Sequence, residues 1–203
     1  MGRPREHDLD KLLDHARTLW VQGGMSGVTI RALSAASGAS NGAIYNAFGS
    51  RDNLLARVWT REAERFLALQ TETVEAALAT GDAPAAVVAA ALAPSHYHQR
   101  EPAGAKLLLA VSLDDLAVTD LGETEKKQMR QLRRGLGNLI TRLAGAVWNE
   151  TDDRAVTLIT FCVVDLPSAL LLAGDRITDP LAREALTRSV LGIITPASPT
   201  PLT

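Results

Sequence analysis

Between residues 23 and 50 the chain is punctuated by glycine so closely that no long helix fits there. Gly23-Gly24, Gly38 and Gly49 are each followed by a hydroxyl residue, Thr29, Ser40 and Ser50. Glycine accepts the left-handed backbone that ends a helix, and a Ser or Thr oxygen accepts from the free N–H groups that open the next. Upstream, Leu9, Leu12, Leu13, Ala16, Leu19 and Trp20 recur at helical spacing and predict a first helix that stops at Gly23-Gly24. Thr29 opens a second helix with Ile30, Leu33 and Ala36-Ser37, which Gly38 ends. Ser40 opens a third, in which Ile44 and Phe48, four apart, share one face, and Gly49 ends it. Ser50 opens a fourth, with Asp52 in its first turn, where the helix dipole favours an anion. Three helices in tandem, with a glycine turn between the second and the third, describe a helix-turn-helix.

The third helix has an unusual composition for its size. The stretch GASNGAIYNAF, residues 38–48, holds two apolar anchors and otherwise small or polar residues. A helix that needed only burial would carry more leucine. A helix that enters the major groove needs small residues where its backbone nears DNA, and Gly42 and Ala43 supply them. It also needs groups that reach bases or phosphates. Asn41 and Asn46 can pair with the N6 and N7 edge of adenine, and the Tyr45 hydroxyl can donate to a phosphate. The helix N-terminus behind Ser40 attracts phosphate by itself. Thr29 and Arg31 on the bracing helix and Arg51 on the next helix complete the expected DNA side. Gly2-Arg3-Pro4-Arg5 reads in two ways: Arg3 and Arg5 enter the adjacent minor groove as an arm, or the segment is a solvated tail.

The order GGMSGVTIRALSAASGASNGAIYNAFGSRDNLL, about a quarter of the chain, resembles the N-terminal DNA-binding domain of TetR-type transcriptional regulators. Gly24, Thr29, Arg31, Gly38-Ala39-Ser40, Gly42, Ile44-Tyr45, Phe48, Ser50, Arg51 and Leu54 fall into the family register together. Departures are Ala47, where the family often has a phosphate-contacting His, Arg51 in place of Lys, and Leu33-Ser34 in place of Ile-Ala. The resemblance implies an all-helical body that binds a small ligand and dimerises through its last two long helices. It also implies repression as the mode of regulation.

The rest of the chain supports an all-α reading on its own terms. Apolar residues make up 46% of the 203 residues and aromatics only 4%, so the core is built of Leu, Val and Ala, which favours helix. Apolar periodicity continues the fourth helix to about residue 79, and Gly81-Asp82-Ala83-Pro84 breaks it. A fifth helix is expected over 84–99, a sixth from Pro102 to about Leu116, a seventh over 123–148, an eighth over 152–172 and a ninth from Asp179-Pro180 to about Ile194. The expected architecture is about nine helices in two domains and a tail. Residues 1–50 form the helix-turn-helix head, 51–196 the effector-binding and dimerisation domain, and 197–203 a Pro-rich frayed end. The helix over 152–172 is apolar almost all round from Val156 onward, so it needs cover from its own core and from a partner. Helices 152–172 and 179–194 are therefore the expected homodimer faces. A two-fold dimer would set two recognition helices about 34 Å apart, matching a palindromic operator in double-stranded DNA.

Candidates for effector contact are His96, His98, Leu108, Leu109, Trp148, Phe161 and Asp165, each of which also has a plain packing reading. Asp165, inside an apolar run and two residues before Pro167, is read as a buried carboxylate. It is either a polar anchor for an effector, or one half of a pair with an Arg or a partly exposed group at a proline kink, the structural role being preferred. His96 and His98, two apart, diverge by about 200° on a helix, so no metal site and no cofactor is expected.

Net charge is −2, which excludes a globally basic protein, yet residues 1–57 carry seven Lys and Arg against five acids. That sign suits a nucleic-acid-binding head on an acidic body. Cys162 is the single cysteine, which precludes an intrachain disulfide, and its apolar surroundings mark it as a small buried residue. The charged N-terminus lacks a secretory pattern, and the run 156–173 is interrupted by Asp165 and Pro167, so a cytoplasmic protein that does not span a membrane is expected. No phosphate loop, nucleophile elbow or metal-ligand cluster points to an enzyme. The remaining alternative is a helical scaffold whose helix-turn-helix makes protein contacts only. The identity of the effector and the operator sequence are not legible in this pattern.

Overall fold

The computed structural model describes residues 6–110 and 121–195. Among these residues every regular element is helical: α1 (Glu6–Gly27), α2 (Ile30–Ser37), α3 (Asn41–Phe48), α4 (Arg51–Ala79), α5 (Ala83–Arg100), α6 (Pro102–Ala110), α7 (Glu123–Trp148), α8 (Asp153–Leu172) and α9 (Pro180–Ile194). The all-α architecture matches the expectation. Arg3, Arg5, the expected end of α6 near Leu116 and the tail after residue 195 lie outside the described residues.

Two compact units divide the chain. One is drawn from the residues up to Glu64 together with Ala103–Leu132, and the other from Arg65–Pro102 and from Arg133 onward. The unit that holds the helix-turn-helix thus includes residues well beyond position 50. Its core gathers Leu12, Leu13, Ala16 and Trp20 of α1, Leu33 of α2, Ile44 and Phe48 of α3, and Leu54, Leu55, Val58 and Trp59 of α4. Leu107, Leu121 and Met129 close it from later in the chain. Each fully buried aliphatic side chain of this kind contributes about 1.5–3 kcal/mol. Ion pairs tie α1 to α4. Arg17 Nε donates to Glu62 Oε2 at 2.7 Å, and Arg61 Nη2 donates to Asp14 Oδ1 at 2.6 Å. The glycine stop in α1 differs in detail from a clean end. The backbone leaves the helix at Gly24 (φ 67°, ψ −175°) and resumes one more turn to Gly27.

The second unit packs α5 against α9 and the middle of α8. Alanines make the buried face of α5 (Ala86, Ala90, Ala91), against which Leu186, Val190 and Ile194 of α9 and Ile159, Cys162 and Leu171 of α8 are buried. Pro94 lies inside α5 and has no N–H to give to the Ala90 carbonyl four residues back. Gln70 of α4 fills that gap: its Nε2 donates to Ala90 O at 2.9 Å from a buried position. Pro167 has a similar effect in α8. Thr160 ends the α-helical part, and two π-turns, Phe161–Asp165 and Ser168–Leu172, flank the proline. The expected helix over 152–172 is present, but widened where Pro167 interrupts the usual ladder. Arg176 closes it, donating from Nε to Leu170 O at 3.1 Å and from Nη2 to Ala169 O at 2.8 Å.

α8 is long and apolar enough to cross a membrane by length and composition alone. One face carries Ala155, Ile159, Cys162, Val163 and Leu171 in the core, and the opposite face carries the exposed Thr157, Phe161, Asp165 and Ser168. Cys162 is fully buried, and desolvation pushes its thiol up to about 11, as a packed apolar residue requires.

Candidate nucleic-acid interface

Each end of the two central helices is set by the residue the sequence pattern singles out. Thr29 Oγ1 accepts from Ala32 N at 3.0 Å and opens α2. Ser40 Oγ accepts from Ala43 N at 3.2 Å and opens α3, and Ser50 Oγ accepts from Asn53 N at 3.1 Å and opens α4. Gly38 closes α2 in the left-handed region at φ 73°, its N–H donating to Ser34 O at 3.0 Å. Gly49 closes α3 at φ 73°, its N–H donating to Tyr45 O at 2.7 Å. Any side chain with a Cβ would be strained at these two positions. The Ser34 hydroxyl donates to Ala39 O at 2.7 Å and so braces the turn between the helices. Ser34 therefore has a job in this chain that an alanine at the same place would lack.

α3 is held chiefly by two side chains, with Ala47 half-buried against the same core, and is otherwise open. Ile44 is 0% exposed and Phe48 2%, both inside the core, while Asn41, Gly42, Ala43, Tyr45 and Asn46 are all exposed. Tyr45 is 53% exposed, so its ring is not a half-buried core aromatic. At about 100° per residue the direction opposite Ile44 and Phe48 falls on Asn46, with Gly42 about 40° to one side. A Cβ on Gly42 would meet nothing within 4 Å, so packing inside the chain does not demand glycine there. No hydrogen bond among the described residues takes up the N–H groups of Asn41 and Gly42, which open outward at the positive end of the helix dipole. α3 itself carries no charged side chain.

Thr29 and Arg31 are exposed on α2. Arg51 is differently employed from a free surface cation. Its Nε donates to Val28 O and its Nη2 to Met25 O, both at 2.6 Å, which ties the start of α4 to the turn before α2. Spacing gave no hint of this, because the carbonyls involved lie more than twenty residues earlier. Asn53 was also not singled out by the sequence pattern, although it stands three residues after the Ser50 cap; its side chain holds the end of α3 through Phe48 O.

The effector candidates do not share one compact unit. Leu108 is half-buried against the core of the first unit, and Leu109 is 40% exposed. His96, His98, Trp148, Phe161 and Asp165 belong to the second. Asp165 is exposed on the open face of α8, in the π-turn before Pro167, which agrees with the expected exposed position at a proline kink and not with a buried carboxylate. Phe161 is 45% exposed, and Trp148 packs half-buried on the second core. Burial, and then the charges of Arg183 and Arg100, hold the His96 imidazole below its ordinary range.

Residues 12–58 match the family model described as bacterial regulatory proteins, tetR family. No curated protein sequence matches the chain. Among solved structures, the fold is similar to that of the TetR family transcriptional regulator PfmR from Thermus thermophilus, at 18% identity over 91% of this chain and 97% of that one, with a TM-score of 0.62. It is similar to the superantigen PfiT at 19% identity over 94% and 97%, with a TM-score of 0.69. It is also similar to the fatty acid degradation regulator FadR from Bacillus halodurans at 14% identity over 91% and 96%, with a TM-score of 0.62. The tetR-family match is thus confined to the helix-turn-helix head, and the solved structures show that the chain shares its all-helical fold with TetR-family regulators.

Proposed function

We propose that the chain is a cytoplasmic homodimeric repressor that binds a palindromic operator through α3 and is released by a small-molecule effector bound in the helical body. One observation carries the DNA-reading part: the outward face of α3 consists of small and polar residues around an open helix N-terminus, while Ile44 and Phe48 anchor its inner side. Asn41 and Asn46 read base edges, Tyr45, Ser40 and Thr29 hold phosphate, Arg31 and Arg51 add positive charge, and Arg3 and Arg5 reach the minor groove. Gly42 and Ala43 let the backbone come close.

Dimerisation through α8 and α9 is supported by what these helices leave uncovered. Phe161 on α8, and Leu181 (72% exposed) and Leu191 (38%) on α9, are among the most exposed large apolar residues. Covering them with the same face of a second copy gives the two-fold symmetry a palindrome requires. The effector contacts are assigned to the body, with His96, His98, Trp148, Phe161 and Asp165 as candidates there and Leu108 and Leu109 on α6. A scaffold role through protein contacts alone is disfavoured by the lack of any apolar side chain larger than Ala on the outward face of α3, apart from Tyr45.

The test is a gel shift of the full chain against a duplex enriched from a random pool, with Tyr45→Phe and Asn41→Ala as variants and salt varied. Weakened binding in the variants and a steep loss with salt support the reading. Unchanged binding in both variants would remove the assigned surface. Sedimentation of Leu181→Glu, expected to shift the dimer toward monomer, tests the interface.

A further inference from the structure

The C-terminal end of α3 is held by a polar clasp that the DNA-facing surface does not itself require. Asn53, in the first turn of α4, donates from Nδ2 to Phe48 O at 2.9 Å, and its Oδ1 accepts the Gly122 N–H at 2.9 Å. One side-chain amide therefore joins the last residue of α3 to the residue before α7. One turn further along α4, the Arg57 guanidinium carbon stands 5.5 Å from the centroid of the Phe48 ring, and Arg57 Nε donates to Glu125 Oε1 at 2.5 Å. Glu125 is 2% exposed. A Cβ on Gly122 would stand 2.5 Å from Glu125 Oε2 and 3.2 Å from Asn53 Nδ2. Glu125 is held by Arg57 and cannot swing away freely, so close approach dictates glycine at 122. Phe48, Asn53, Gly122, Glu125 and Arg57 form a closed ring of contacts.

A buried ion pair is a poor source of stability, because desolvation offsets most of the attraction and apolar residues of similar size pack about as well. What such a pair and a bridging amide supply is direction. An eight-residue helix anchored by two side chains can rock about the line that joins them, and hydrogen bonds at its end stop that motion. We propose that Asn53, Arg57 and Glu125 are positioning residues for DNA recognition: through Phe48 and Gly122 they set the angle at which α3 is presented and tie that angle to the first turn of α7. The proposal rests on the DNA-binding reading above.

The experiment uses the full-length chain and a duplex enriched by the wild type from a random pool. Its two half-sites are then moved apart or together one base pair at a time. Two variants are compared with wild type: Asn53→Ala, and the double exchange Arg57→Met with Glu125→Met, which leaves no unpaired buried charge and keeps the fold if Asn53→Ala does not. Unfolding midpoints are recorded beside the affinities. Loss of about tenfold or more in affinity, with a flattened preference for half-site spacing in chains that remain folded at the assay temperature, supports the assignment. Unchanged affinity overturns it. So does a loss that follows only the unfolded fraction while the spacing preference stays as in wild type. If the wild type enriches no duplex at all, the DNA-binding premise fails and the positioning role falls with it, an outcome distinct from wild-type binding that the variants share.

Discussion

Replacing Gly42 by alanine separates what the fold wants at that position from what a DNA partner wants. Gly42 has ordinary helical φ, and an added Cβ would touch nothing within 4 Å. Within the chain, alanine is therefore the better residue. Glycine in a helix interior costs about 0.5–1 kcal/mol relative to alanine. Gly42 lies in the first turn of α3, where fewer hydrogen bonds depend on it, so about 0.5 kcal/mol is the reasonable gain. For a chain of this length that raises the unfolding midpoint by about 1–2 °C. The opposite effect is expected on DNA. A methyl group on the outward face keeps the backbone away from phosphates and base edges, and loss of even one close contact there costs about 1–3 kcal/mol, about fivefold to a hundredfold in affinity. Calorimetry and fluorescence anisotropy on a selected duplex measure the two effects on the same sample. A variant that is more stable and binds DNA as tightly as wild type would refute the reasoning, since nothing would then approach α3 at Gly42.

Ile44→Ala removes one of the two anchors of α3 from a site of 0% exposure and should cost about 2–5 kcal/mol of stability, read by denaturant unfolding; a cost under about 1 kcal/mol would mean that the helix is held elsewhere. His96 has its folded-state pKa depressed below 6.5, chiefly by burial. The unfolded chain then binds the proton more readily, so the contribution is fully present above pH 6.5 and is lost as pH falls through the lower folded-state value. His96→Gln should flatten the part of the midpoint-against-pH curve that lies just below pH 6.5, and an unchanged slope there would count against the burial of this ring. The Cys162 thiol, buried and pushed up to about 11, should resist iodoacetamide at about pH 8 in the native chain and react after denaturation. Stoichiometric labelling of the native chain would contradict its placement.

Local chemistry made most of the head legible. Thr29, Ser40 and Ser50 cap the helices they precede, and Gly38 and Gly49 take the left-handed backbone that ends α2 and α3, because both effects act over a few residues. Ile44 and Phe48 could be assigned to the inner face from their spacing alone. Asp165 shows where the same reasoning stops. Its sequence neighbourhood left both a buried carboxylate and a partly exposed group at the Pro167 kink open, and only the packing of α8 decided for exposure. Arg51 looked like a surface cation, and its guanidinium instead holds the Val28 and Met25 carbonyls.

The amino-acid order by itself determined where helices start and stop and which side of α3 is apolar, since caps, glycine backbone and helical periodicity depend only on near neighbours. Only the tertiary structure decided which polar groups meet: Gln70 with the carbonyl that Pro94 leaves free, and Asn53 and Arg57 with Gly122 and Glu125. Those partners are separated by 20, 69 and 68 positions, and no periodicity in a sequence encodes a contact made by the packing of whole helices.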